Sequence, residues 1–311
     1  MTSDPFPPAP AAQRERYGSR YRAQMRELSL RVPWQTLERE CESLVQWRAF
    51  ALWVQWIAEA EHSVPAWLQS AIEGKCEGFL QTRAHPLRAE TVAHEVNEWI
   101  ENHYFESAQS GGWFPAVLHH AGQCPKLGQI RRYMARCREG VRTGAYPSFD
   151  EWLQQARASR FWVDDSEVPV EPAQLGVAVG RYVDWEAFAF WARLVVSAAN
   201  GIPGILAETL GERCPNFLAA LQRKSPTRES YAMWFWEELS AWVEDHEFAS
   251  AKQNWWLDAL RNFANRHVRT ERIVAYWVEC DTAWRKSPPP QYPSFGDWIA
   301  EADAFVVPAG G

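Results

Sequence analysis

The sequence has no uninterrupted apolar run near the roughly 20 residues that a membrane-crossing helix needs, so no transmembrane segment is expected. It has no Gly-rich phosphate loop, no G-x-G-x-x-G, no nucleophile elbow and no H-E-x-x-H. The motif-bearing nucleotide-binding, hydrolase and zinc-protease classes lose their usual signatures with them. It has no C-x-x-C spacing, which argues against zinc, and no duplicated E-x-x-H of the di-iron kind. No cofactor and no metal are expected. Positive charge is not in excess. The net charge is -7 and the pI near 5.7, which disfavours generic binding to a phosphate backbone. The alternation that marks a half-buried strand is missing throughout.

The first residues, Met1-Thr-Ser-Asp-Pro-Phe-Pro-Pro-Ala-Pro10, lack a basic n-region and an apolar h-region. They read as a disordered Pro-rich leader and not as a secretory signal. With six cysteines in a chain of this size, reduced thiols and a cytoplasmic location are the expectation.

Tryptophan is what the chain has in abundance, 19 of 311 residues. Each buried aromatic removes roughly 150–250 Å² from water, so Trp-rich helices can weld a core with few contacts. The tryptophans also expose an internal repeat. Val45-Gln-Trp47-Arg-Ala49-Phe50-Ala51-Leu-Trp53 returns as Val183-Asp-Trp185-Glu-Ala187-Phe188-Ala189-Phe-Trp191. The offset of 138 holds through Pro65, Leu68, Cys76, Phe79 and Leu80 and their matches Pro203, Leu206, Cys214, Phe217 and Leu218. Further on the offset is 143, pairing Trp99-Ile-Glu-Asn-His103-Tyr-Phe105 with Trp242-Val-Glu-Asp-His246-Glu-Phe248. At an offset of 146, Tyr146-Pro-Ser-Phe-Asp-Glu-Trp152 matches Tyr292-Pro-Ser-Phe-Gly-Asp-Trp298. A period this long reads as a duplicated domain, not as a solenoid of short repeats.

The expected fold is all-α: a tandem duplication of a Trp-rich multi-helix unit, with two similar helical domains packed together. The expected divisions are a tail and N-terminal helix at 1–33, a first unit at 34–163, a linker at 164–182 and a second unit at 183–311. The linker reading rests on Val168-Pro-Val-Glu-Pro172, with Gly176 and Gly180 continuing its punctuation. Ser148-Phe-Asp-Glu151 and Ser294-Phe-Gly-Asp297 resemble capping boxes. Ser225-Pro226 reads as a cap for the helix that carries Trp242.

His103 and His246 are the only histidines at matched positions, and they are the leading site candidates. Trp99 lies four residues before His103 on the same helix face, and Glu95 a further four. Glu238, Trp242 and His246 repeat this stripe. Such a stripe would orient a buried histidine whose ring N–H bonds a backbone carbonyl or a Glu; the sharper alternative is a metal or acid–base role. His119 and His120 have no match in the second unit. Asp164-Asp165-Ser-Glu167 reads as a solvated connector. Arg131, Arg132, Arg136, Arg138 and Arg142 make one basic helix; Arg261, Arg266, Arg269 and Arg272 make another. These would be solvated or salt-bridged faces, or a surface for nucleic acid.

The functional expectation is a non-catalytic helical adaptor or assembly subunit, binding protein partners through related surfaces of its two units. An enzyme or small-ligand binder built on His103 or His246 is the alternative. A nucleic-acid-associated protein is the second.

Overall fold

The computed structural model describes residues 11–140, 146–159, 161–162, 169–224 and 230–307. The expected Pro-rich leader, the acidic connector, Arg142 and the Ser225-Pro226 cap lie outside them. Within them the chain is helical. In order the helices are α1 (Ala11–Leu30), α2 (Trp34–Glu61), α3 (Ala66–Lys75), α4 (Val92–Tyr104), α5 (Glu106–Ser110), α6 (Phe114–Gln123), α7 (Pro125–Glu139) and α8 (Phe149–Ala158). Then follow α9 (Pro172–Ala199), α10 (Gly204–Arg213), α11 (Phe217–Leu221), α12 (Tyr231–His246), α13 (Ala249–Gln253), α14 (Leu257–Asn265), α15 (Val268–Lys286) and α16 (Phe295–Ala304). Between α8 and α9, β1 (Phe161–Trp162) and β2 (Pro169–Val170) form a minimal antiparallel pair. No helix among the described residues is long and apolar enough to cross a membrane.

The sequence register reappears in the helix limits. Both ends of α9 fall 138 residues after those of α2, and both ends of α10 fall 138 after those of α3. Both ends of α13 fall 143 after those of α5, and both ends of α16 fall 146 after those of α8. The left-handed backbone positions pair in the same way. His62 and Asn200 (φ 48° and 50°) end α2 and α9. Gly78 pairs with Asn216, and Gly112 with Trp255. Asparagine and glycine tolerate this region, whereas tryptophan does not.

α2 and α9 are central. α2 packs against α4, α6 and α7, and α9 against α12, α14 and α15. Each gathers its own apolar core, one around Leu37, Phe50, Trp53 and Trp152, the other around Phe188, Trp191, Phe235 and Trp298. The Tyr-Pro-Ser-Phe element closes each core by the same means. The Trp53 indole donates to the Pro147 carbonyl and the Trp191 indole to the Pro293 carbonyl, both at 3.2 Å. Phe149 and Phe295 pack edge-on against Phe50 and Phe188. Ser148 caps α8 in a full capping box with Glu151. Ser294 caps α16, where the shorter Asp297 reaches the Ser294 hydroxyl (2.7 Å).

Contacts between the halves are reciprocal. α2 touches α15 and α16, and α9 touches α7 and α8. The end of α1 is held by both sides. Ser29 Oγ bonds His120 of α6, the Ser29 carbonyl accepts from Arg272 of α15 (2.8 Å), and the Leu30 carbonyl accepts from the Val307 N–H (2.8 Å).

Two local expectations are corrected. Residues 172–182, grouped by sequence with the linker, form the first three turns of α9. Proline is compatible with helix position N1, so Pro172 starts this helix and does not forbid it. The cap of α12 is Ser230, whose side chain accepts from the Met233 N–H.

Candidate functional site

The matched W-x-E-x-H segments form α4 and α12, and each histidine sits in the last turn. Both histidines are exposed, not buried. Each ring reaches back one helical turn to a backbone carbonyl. His103 Nδ1–H donates to the Trp99 carbonyl, and His246 Nδ1–H to that of Trp242, both at 2.8 Å. Each ring also lies flat on its indole, with centroids 4.1 Å apart. The carboxylates of the stripe are engaged elsewhere, Glu95 with Arg83 and Glu238 with Lys224. The unit is therefore a helix-end clasp. His103→Ala and His246→Ala are each expected to lower stability by about 1 kcal/mol, the worth of one hydrogen bond and a stacked ring. The two losses should add, because the sites are far apart in separate cores. Urea denaturation followed by circular dichroism measures both. A loss above about 3 kcal/mol for either would mean a buried role.

His119 and His120 part company. His119 is half-buried, with its ring edge against Tyr21 and its Nε2 accepting from Gln123 (3.1 Å). His120 is buried at the junction with α1. The Ser29 hydroxyl gives its proton to the Met25 carbonyl, so His120 Nε2–H must be the donor to Ser29 Oγ (2.7 Å). Burial, followed by the nearby His119 and His267, pushes the His120 pKa down to about 3, while the Arg266 backbone pulls the other way. His120 and His267 line a cavity of about 520 Å³ between the halves, together with Cys41, Cys124 and Lys126. Burial pushes both thiols up, so they remain protonated and are poor nucleophiles. Among the described residues, no three His, Cys, Asp or Glu side chains converge as a metal site would need.

The basic residues divide by half. Arg131, Arg132 and Arg136 are exposed on α7. Arg269 is held by both oxygens of Asp303 (2.6 and 2.9 Å) and by Asp184, and it covers the Trp34 ring. Arg272 is fully buried. Arg269 and Arg272 are thus committed to internal partners, and the four arginines read as one basic helix are divided between α14, its C-cap Arg266 and α15.

The chemically densest place lies in the second half, between α9, α12 and α14. Glu244 of α12 accepts from Tyr182 Oη (3.0 Å) and from Arg261 Nε (2.9 Å) and Nη2. Arg261 also holds Asp258 (2.7 Å). Glu186, one turn beyond Tyr182, has its Oε2 buried without a hydrogen-bond partner. Burial, then the like charge of Glu244, pushes the Glu186 pKa up to about 7 against the pull of Arg261. Trp185, Phe190 and Trp236 complete the walls of a cavity of about 240 Å³. A carboxyl with a pKa near 7, beside a carboxylate already held by Arg261, can exchange a proton or seat a cation.

This cavity was missed in the sequence, although the repeat register carries its signal. Position 186 matches Arg48, which in the first half pairs with Glu101, the match of Glu244. Position 261 matches Leu118. The second half has exchanged a built-in cation for a carboxyl and has brought in an arginine from another helix. The second missed feature is Trp255, 85% exposed at a left-handed position (φ 63°) where the first half has Gly112.

Comparison with protein-family models, with curated proteins and with solved structures gave no match.

Proposed function

We propose that the protein is a non-catalytic helical adaptor, a tandem duplication whose two units pack about a pseudo-twofold, and that it engages a protein partner through the second unit. Coincident helix limits, paired left-handed residues and reciprocal contacts between the halves support the duplication. The matched residues support the non-catalytic reading. The histidines clasp helix ends, the tryptophans and Tyr-Pro-Ser-Phe elements close cores, and Lys75 and Arg213 each cover three aromatic rings of their own unit. The reading places the protein in the cytoplasm, where its six unpaired thiols would stay reduced.

Trp255 carries the partner reading. A left-handed non-Gly residue costs about 1–2 kcal/mol, and a large ring left in water regains none of it by burial. Such an outlier points to a task outside the fold, and tryptophan is a favoured interface anchor. Partner recognition is therefore assigned to one unit and not to related surfaces of both. Trp255→Gly is expected to raise stability by about 1 kcal/mol in urea melts. In cells of the source organism, a photo-crosslinking amino acid at 255 should yield a discrete heavier adduct that the same residue at 112 does not. A less stable Trp255→Gly protein, or identical crosslinking from both positions, would make Trp255 a structural residue.

A further inference from the structure

The cavity between α9, α12 and α14 has a composition that a purely structural pocket does not need. Its walls are the rings of Trp185, Phe190, Trp236 and Tyr182. Of the charged groups that line it, Glu244 and Arg261 are engaged with each other and Glu186 is not. The Glu244 carboxylate is fully used by Tyr182 and Arg261, and Arg261 is shared with Asp258. The two arginines that lie over wall rings have their own carboxylate neighbours. Arg213, over Trp185, has Asp184 and Glu247; Arg193, over Trp236 and Trp277, has Asp281. That leaves Glu186, with an oxygen buried and unpartnered.

Leaving a carboxyl oxygen in this state is costly, and an apolar residue of similar size would avoid the cost. The first half shows what satisfies the place. There the cation is covalent: Arg48 stands at the match of Glu186 and pairs with Glu101. In the second half Arg261 takes over the pairing with the matching carboxylate, Glu244, and Glu186 adds a second carboxyl whose Oε2 is buried without a partner. Aromatic faces beside a carboxylate are the recognition chemistry of ammonium groups.

We propose that this cavity binds a small organic monocation, an alkyl- or tetraalkylammonium group, seated between the aromatic walls and the Glu186 carboxylate. At about 240 Å³ the space is below the usual range for drug-sized ligands, so the cation has only a few carbon atoms. The cation neutralises the one uncompensated charge, and its methyl groups meet the rings.

Binding is linked to protonation. Glu186 must be ionised to receive the cation, so affinity falls as pH drops below about 7. The other groups facing it from the packed elements do not mimic this. Tyr182 and Arg261 are both pushed further up by their environment. Glu244 and Asp258 are held by Arg261, and Arg193 lies against Trp277 of α15.

Choline is the probe, because its charge is fixed at every pH. Its uncharged isostere 3,3-dimethylbutan-1-ol is the control. Isothermal titration of the full chain near pH 8 is expected to show one saturable choline site, weakening by about tenfold or more near pH 5.5. The alcohol should bind at least about tenfold more weakly than choline at pH 8. Glu186→Gln keeps the shape, removes the ionisable group and should abolish the pH dependence along with most of the affinity. Trp236→Leu, on the half-buried wall, should weaken choline while the melting curve stays close to that of the parent, which guards against a folding artefact. Absence of saturable choline binding below about 10 mM, equal binding of the alcohol, or undiminished binding by Glu186→Gln would each overturn the proposal.

Discussion

Trp191→Ala is expected to destabilise the protein by about 3–5 kcal/mol, and Trp53→Ala by a similar amount. Both indoles are essentially inaccessible to solvent. Trp191 packs between Phe188 and Phe295, and its N–H satisfies the carbonyl of Pro293 just ahead of the α16 cap. Truncation opens a cavity, strands that carbonyl and loosens the element that closes the core. Trp191→Phe separates these contributions: it keeps most of the ring and loses the bond, for about 1 kcal/mol plus the packing mismatch. Urea denaturation followed at 222 nm measures each variant. A loss below about 1 kcal/mol for Trp191→Ala would mean that the core can collapse around the gap and that the indole–carbonyl bond contributes little.

Arg272 should behave differently according to what replaces it. Its guanidinium is 1% exposed and makes one described hydrogen bond, Nη2 to the Ser29 carbonyl, leaving Nε and Nη1 without partners. Burial pushes its pKa down to about 10, although Asp303 works in its favour. Arg272→Ala leaves a void and an unmet carbonyl and is expected to cost about 3 kcal/mol. Arg272→Met refills the volume and removes two stranded donors, so it should be neutral or stabilising by about 1 kcal/mol or more. Thermal melts decide between them. Equal damage from both substitutions would show that the charge itself docks α1. Gln129 holds the matching place in the first half, donating to the Ala156 and Ser159 carbonyls (2.5 and 2.8 Å), with no such surplus of donors.

The helices were legible in the sequence because they depend on local order. Apolar residues at helical spacing, and Ser148 and Ser294 as caps, need no tertiary information. The histidines show where that reading runs out. Spacing places His103 on the Trp99 face but does not say that the helix ends one residue later, and that ending turns an expected buried ring into an exposed clasp. Arg269 and Arg272 look like a basic surface until Asp303, Asp184 and Ser29 arrive from elements far along the chain. The Glu186 cavity needs α14 to bring Arg261 against Glu244. Only the Arg48-to-Glu186 exchange hinted at it, and a comparison of matched positions for charge as well as identity would have found it.

The clamp on α1 also has a bearing on timing. Ser29 meets Arg272 across 243 residues of chain, and Leu30 meets Val307 farther still. At synthesis rates of roughly 5–20 residues per second, the end of α1 leaves the ribosome on the order of 10–50 s before Arg272 is made. The first core can assemble in that interval, but its seal against the second cannot. α6 can cover part of α1 in that interval, but the Ser29 and Leu30 carbonyls must wait in water until Arg272 and Val307 emerge. α1, made before either core, is thus sealed only after both have formed.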